Sequence, residues 1–382
     1  MKVLQVGKYY WPKSGGIEKH IKLLSEGLTA NRVKVEVVVS NTKNKKEVNL
    51  INGVKVTKLP KLFSFFNQPI TLDLFIFLKT EKSDIIHVHL PNPLASIATL
   101  LSKRKNVVVT YHSDIIGKPL AFIANFFTEN LLKKASTIIV QSPNYSNSSK
   151  ILQKYKNKTV VIPSCIDVKE YVITKKVKEK IKKLKSALDL RRKFVVLFVG
   201  RLAPYKGLEY LIKAFKKVSD KFGDKIKLLI VGEGDLKQRL INEVVKLKLE
   251  KNVKFIGYVK DDDLIAYYNL CDIFVLPSIT RQEAFGLVQL EAMICGKPVI
   301  STNIESGVSF VNQHNKTGLI VPPKDPKSLA KAIITLFQNE RMRKKFSRNC
   351  IKRVKLFFNK ELMIKKTLEV YDKILNSWKS DF

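Results

Sequence analysis

Short apolar runs alternate with stretches of helical period along almost the whole chain. In the first part the runs fall at Val3–Gly7, Val33–Val39, Val54–Lys58, Asp84–His89, Asn106–Tyr111, Thr137–Val140 and Thr159–Ile162. Between several of them, Ile17–Leu28, Leu94–Leu101 and Leu120–Leu132 carry apolar residues at three- and four-residue spacing, which predicts helices. Runs such as Val107-Val108-Val109 offer apolar groups to both faces and suit strands covered by helices on both sides of a parallel sheet. Strands alternating with helices predict a doubly wound α/β sheet.

A charged stretch interrupts this pattern. From Lys169 to Lys193 there are 11 basic and three acidic residues and few large apolar ones. A second series then begins at Phe194–Gly200 and continues through Lys227–Val231, Val253–Ile256, Ile273–Leu276, Pro298–Ser301 and Gly318–Val321. After its first strand, Leu208, Leu211, Ile212, Phe215 and Val218 line one helix face. The tail, Leu362–Trp378, is again helical in pattern. The pattern predicts two Rossmann-like domains, at 1–170 and 194–360, with 171–193 as linker and exposed helix and 361–382 as a terminal helix.

Composition adds little to the fold but bears on location. Hydrophobic residues make up 45% of 382, enough to bury two cores. The opening Met1–Gly7 reads as a first strand, not as a signal peptide, and no run of 18 apolar residues predicts a spanning helix. Cys165, Cys271, Cys295 and Cys350 lack metal-ligand or redox spacing and read as buried thiols of a reducing compartment. The 70 basic residues exceed the 33 acidic ones by 37, which favours anionic partners. They are mostly lysine and are spread along the chain, which argues against specific nucleic-acid reading. A general lysine bias on solvated faces is the plain alternative.

Three segments carry candidate chemistry. In Glu283-Ala-Phe285-Gly286-Leu287-Val-Gln-Leu-Glu291, Gly286 is positioned to open a helix whose free N–H groups bind an anion. If the stretch were fully helical, its two carboxylates would lie about 12 Å apart along the axis. That span suits the distance between the sugar and the ribose of one extended donor. Gly200-Arg201-Leu-Ala-Pro-Tyr-Lys206-Gly207 follows a buried strand, and its two cations can neutralise a diphosphate as charge grows on it. Pro12-Lys13-Ser14-Gly15-Gly16 precedes the first helix, and its paired glycines permit close backbone approach by a ligand. The plain alternatives are two unrelated glutamates, a surface ion pair and a bare turn.

Taken in order, the motifs resemble the retaining family-4 glycosyltransferases of the GT-B fold. The resemblance rests on Gly15-Gly16-Ile-Glu18, Tyr111-His112-Ser-Asp114, Arg201 with Lys206, Glu283 with Glu291, the run Phe285–Thr302 and Gly318–Asp325, and it spans nearly the whole chain. It implies two domains facing across a cleft, an acceptor-side N-terminal domain and a C-terminal nucleotide-sugar-binding domain, the last helix returning to the first. It further implies that Arg201 and Lys206 hold the donor diphosphate, Glu291 the ribose and Glu283 the donor sugar. The backbone of Phe285, Gly286 and Leu287 would meet sugar hydroxyls or phosphate, and Gly15 and Gly16 would approach the diphosphate. His112 would orient a hydroxyl or stabilise positive charge through its carbonyl. The implied reaction is front-face displacement with retention, without cofactor or metal, from a nucleoside-diphosphate sugar to a lipid-linked or glycan acceptor of cell-surface polysaccharide or glycolipid synthesis. The sugar would be a hexose; the stretch Gly307–Asn312 is similar to enzymes building surface polysaccharide with mannose or related hexoses. Rival readings are a sugar-nucleotide epimerase of the same fold and a non-enzymatic basic nucleic-acid-binding protein.

Other groups are open to two readings. Asp261-Asp262-Asp263 precedes a helical pattern and reads as a helix cap more readily than as a metal motif. His87 and His89 end a strand two residues apart, but no third histidine is near in sequence, so strand-end packing is the expectation. His20 reads as a surface histidine or as a contact to acceptor or phosphate. Lys58–Lys79, with Phe63, Phe65 and Phe66, and Ile115–Lys134, with Phe122 and Phe126, are apolar and aromatic stretches edged by lysine. They suit either core helices or an anionic bilayer surface. The second reading places the enzyme in the cytoplasm, peripheral on the inner face of the cell membrane.

Overall fold

The computed structural model describes residues 1–13, 15–65, 68–116 and 120–377; Ser14, Phe66 and Trp378, named above, lie outside the described residues. The chain divides into two compact units, Met1–Cys165 with the segment from Lys360 onward, and Ile166–Asn359.

The first unit is built on an eight-stranded sheet. Its order is Thr159–Val161, Thr137–Val140, Val107–Tyr111, Ile85–Leu90, Lys2–Val6, Lys34–Ser40, Val54–Leu59 and Glu47–Ile51. All neighbours are parallel except the last pair. The central strands are buried along their length, and the polar residues within them, His87, His89 and Thr110, are buried with the apolar ones. Strand order reverses beside Lys2–Val6, which has Lys34–Ser40 on one side and Ile85–Leu90 on the other. Ligand sites of open α/β sheets form at the carboxyl ends of the strands at such a point.

The terminal helix, Lys360–Ser377, packs on helix Gly16–Ala30 of this unit. Their approach depends on Gly27, where a Cβ would come within 1.9 Å of Ile364 Cδ1. Farther along, Tyr371 is fully buried and its hydroxyl lies 2.6 Å from His87 Nδ1.

The second unit holds six parallel strands in the order Val253–Gly257, Ile226–Val231, Phe194–Val199, Ile273–Leu276, Val299–Thr302 and Gly318–Val321. The reversal falls between Phe194–Val199 and Ile273–Leu276. Helix Leu208–Phe222 buries Leu208, Leu211, Ile212, Phe215 and Val218, the face read from the sequence. Both units are Rossmann-like α/β domains.

One boundary differs from the sequence reading. The stretch 171–193, read from its charge as a linker, lies inside the second unit. Helix Lys175–Ala187 has no buried residue, yet Ile181 and Leu184 pack on the core of this unit and Lys180 pairs with Asp263. Its charge marks a solvated helix face, not a tether.

Candidate functional site

In the second unit the site forms where the loops after the two central strands meet. Strand Phe194–Val199 leads through Gly200 and Arg201 to a helical turn, Pro204–Lys206, closed by Gly207. Gly207 has φ +67, and a Cβ there would come within 2.2 Å of the Pro277 carbonyl oxygen. Only glycine lets the two loops press together here. The Ile279 N–H donates to the Tyr205 carbonyl at 2.8 Å and ties them.

This contact sets Lys206 against Glu283. The two form an ion pair with both side chains buried, and Glu283 also accepts from Ser278 Oγ at 3.1 Å. Burial lowers the Lys206 pKa, but the Glu283 carboxylate and Tyr205 together outweigh it and hold the ammonium above the ordinary lysine value. Arg201 is exposed and pairs with Asp235 at 3.0 Å. The structure therefore gives one buried and one exposed cation after the same strand.

The helix following Glu283 begins at Leu287, so the fully helical spacing considered for Glu283 and Glu291 does not apply: the first glutamate lies in a loop. Gly286, at φ +75, caps the helix without a side-chain hydrogen bond, which leaves first-turn N–H groups for a ligand. Phe285 is buried and its ring packs near Phe358, so its backbone is what a ligand could meet. Glu291 is buried on the helix and accepts from Tyr268 Oη at 2.7 Å. Burial and Glu291 together push the Tyr268 hydroxyl well above its usual pKa, keeping it a donor. Sequence reading missed Tyr268: its helix pattern carried no link to Glu291.

In the first unit, Gly15 precedes helix Gly16–Ala30. The Glu18 carboxylate folds back over it, so that a Cβ at Gly15 would lie 2.1 Å from Glu18 Oε2. Burial raises the Glu18 pKa, opposed by a backbone hydrogen bond and by Lys13 and Lys8. The open approach predicted for Gly15 and Gly16 is thus shared with the chain's own carboxylate, which the positive helix end attracts.

Four histidines converge in this unit, which corrects the surface reading of His20. His20 is buried, not a surface residue, and His87 and His89 are joined by His20 and His112. His89 Nδ1 lies 3.1 Å from His112 Nε2, His89 Nε2 lies 2.7 Å from Gln5 Oε1, and the Gln141 amide lies 2.5 Å from His112 Nδ1. Burial lowers all four pKa values, His20 to about 4 and His87 to about 3. Asp261, Asp262 and Asp263 occupy the first turn of helix Asp261–Leu270 behind Lys260 at the cap, where their charge suits the helix end.

Two cations, a helix N-terminus and two buried carboxylates thus gather on the loops and helix that follow the central strands of a Rossmann-like α/β domain. Residues 177–353 match the family model described as glycosyl transferases group 1, and residues 14–170 match that of glycosyltransferase family 4. The chain is 31% identical over 382 residues to O-antigen chain mannosyltransferase C of Escherichia coli, covering 99% of this chain and 100% of that protein. It is also 31% identical over 363 residues to D-rhamnosyltransferase WbpZ of Pseudomonas aeruginosa, covering 94% and 92%. Among solved structures, sucrose-phosphate synthase from Thermosynechococcus elongatus aligns with TM-score 0.81 at 23% identity over 98% of this chain and 99% of that one. Anabaena HepE in complex with UDP aligns at 0.76 and 21%, over 98% and 100%. The chain belongs to the group 1 glycosyltransferases and has the GT-B fold.

Proposed function

We propose that this glycosyltransferase moves mannose from a nucleoside-diphosphate donor to a lipid-linked or glycan acceptor in surface-polysaccharide synthesis, with retention at the anomeric carbon. The observation that carries the donor site is the Lys206–Glu283 pair at the switch point, beside the uncapped N-terminus of helix Leu287–Ile294. The mannose assignment follows the mannosyltransferase of Escherichia coli, and the nucleoside-diphosphate class of the donor, without its base, follows the UDP bound to HepE.

In this reading Arg201, Lys206 and the N–H groups at Phe285, Gly286 and Leu287 take up the negative charge that grows on the leaving diphosphate. Glu283 exchanges part of its hold on Lys206 for the sugar hydroxyls, and Glu291 takes the ribose. A donor phosphate oxygen accepts the proton of the acceptor hydroxyl as it attacks the anomeric carbon from the leaving group's side. Because cations and helix N–H groups answer the diphosphate, this transfer needs no metal. His112, Gly15 and Gly16 are assigned to the same reaction from the N-terminal domain. The acceptor is reached from the cytoplasm at the inner membrane face.

The test is thermal stability with GDP-mannose, UDP-glucose, UDP-galactose and UDP-N-acetylglucosamine, with and without chelator. A ligand at a hundred times its Kd adds about 2.7 kcal/mol. The expected result is a chelator-insensitive shift with GDP-mannose that Arg201→Ala and Lys206→Ala remove. Failure of every donor and of the free nucleoside diphosphates would overturn the assignment. NMR of the product linkage then decides retention, and turnover of donor without acceptor would mark an epimerase.

A further inference from the structure

We infer that His20, His89 and His112 form a binding site for a divalent transition-metal ion, Zn2+ first, inside the N-terminal domain. One ring nitrogen from each of the three lies within 4.8 Å of the other two. The closest pair, His89 Nδ1 and His112 Nε2 at 3.1 Å, already nearly spans the edge of a tetrahedron with metal–nitrogen bonds of 2.0–2.1 Å, which is about 3.3 Å. The His20 nitrogen lies within 4.8 Å of both.

The surroundings have the form of an outer shell. Metal-bound imidazoles direct their second nitrogen to a hydrogen-bond acceptor that fixes ring orientation. His89 Nε2 faces Gln5 Oε1 at 2.7 Å, and His112 Nδ1 faces the Gln141 side-chain amide at 2.5 Å. Amide orientation is interchangeable, so Gln141 can accept from His112 when its other nitrogen is ligated. Among the described residues, the hydrogen-bond partner of His20 is Ser164 Oγ, 3.0 Å from Nδ1. His87 is not a ligand: Tyr371 and Thr110 occupy its two nitrogens, and its ring stacks on His89 with centroids 4.6 Å apart. It holds His89 in place.

The donor set selects the metal. Three neutral imidazoles without a carboxylate suit Zn2+, Co2+, Ni2+ or Cu2+ and do not suit Mg2+ or Ca2+. Burial keeps the rings neutral at neutral pH, the form that binds metal. All three rings are buried: His89 is 1% exposed, His20 4% and His112 5%. A water or hydroxide takes the fourth position. The ion fixes the ring of His112 and leaves its backbone carbonyl free. No step of the proposed sugar transfer passes through the ion, so the site stands or falls separately from the donor assignment.

Tag-free protein is dialysed against Zn2+ and then metal-free buffer, and bound metal is measured by mass spectrometry. One equivalent is expected, with at least tenfold weaker binding in His20→Asn and His89→Gln, while His314→Ala binds as wild type. Folding of each variant is checked by circular dichroism. Wild-type protein titrated with Co2+ gives the second readout: visible d–d bands of a low-coordinate nitrogen site support the assignment. A spectrum of the hydrated ion, the absence of retained Zn2+, or equal retention by folded His89→Gln would overturn it.

Discussion

Lys206 and Glu283, 77 positions apart, form a buried ion pair because their loops follow the two strands that flank the sheet's reversal. Such a pair punishes the loss of one member, since the other is left charged and unpaired. Lys206→Ala is therefore expected to destabilise the domain by about 3–5 kcal/mol. Arg201→Ala, which removes an exposed pair with Asp235, should stay within about 0.5 kcal/mol of wild type. Urea unfolding measures both. A Lys206→Ala protein as stable as Arg201→Ala would show that the pair is not formed in solution.

Glu291 offers a sharper test of the ribose assignment. A hydrogen bond to a charged group contributes about 1.5–3 kcal/mol, roughly 10- to 100-fold in affinity. Wild-type protein should prefer a ribonucleoside diphosphate over its 2′,3′-dideoxy counterpart by that factor, and Glu291→Gln should lose most of the preference. Tyr268→Phe removes the donor that orients the carboxylate at 2.7 Å and should reduce the preference less. Calorimetric titration of the three proteins with each of the two nucleotides checks this. Equal preference in wild type and Glu291→Gln would place the ribose elsewhere.

How much was legible follows from what each element buries. Strands covered on both faces read as unbroken apolar runs, so the two parallel sheets were plain in the sequence. Glu47–Ile51 was not: it pairs antiparallel at the sheet edge, with Val48 and Leu50 exposed, and its composition resembles a loop. Lys206 and Glu283 were legible as separate strand-end groups, but their pairing depended on strand order. The histidine cluster was hidden for the same reason. His89 ends Ile85–Leu90 and His112 follows Val107–Tyr111, and only the adjacency of those strands, with the His112 N–H donating to the Leu90 carbonyl at 2.9 Å, brings them together.

Those buried histidines predict how stability depends on acidity. Their folded pKa values lie below the unfolded value near 6.5, so between the two the unfolded chain binds more protons. Stability is complete above about pH 6.5 and is lost as pH falls toward about 4 and 3, the folded values of His20 and His87. In chelator-treated protein, urea unfolding at pH 7, 6, 5 and 4 should show this decline, and His87→Gln should make it shallower. Equal slopes in the two proteins would mean that His87 is not held neutral in the fold.

Among the described residues no helix is long and apolar enough to cross a membrane. Helix Ala121–Lys134 buries Thr128, Leu131 and Leu132 yet leaves Phe122 73% and Phe126 63% exposed. In the same unit Phe63, Phe65, Leu72 and Ile76 are exposed as well, with Lys79 and Lys133 at the helix ends. The core reading of these stretches therefore does not account for their aromatic side chains. An outward apolar face edged by lysine gains from insertion at the bilayer interface and from anionic lipid, the latter about 1 kcal/mol per nearby basic residue. Sedimentation with phosphatidylglycerol-containing vesicles should carry wild-type protein down, less so as salt rises. Phe122→Ser with Phe126→Ser should weaken binding at least tenfold while stability changes little, because neither ring is part of the core. Wild-type protein that stays in the supernatant at low salt would mean that the acceptor is met in solution, and the exposed rings would then need a protein partner.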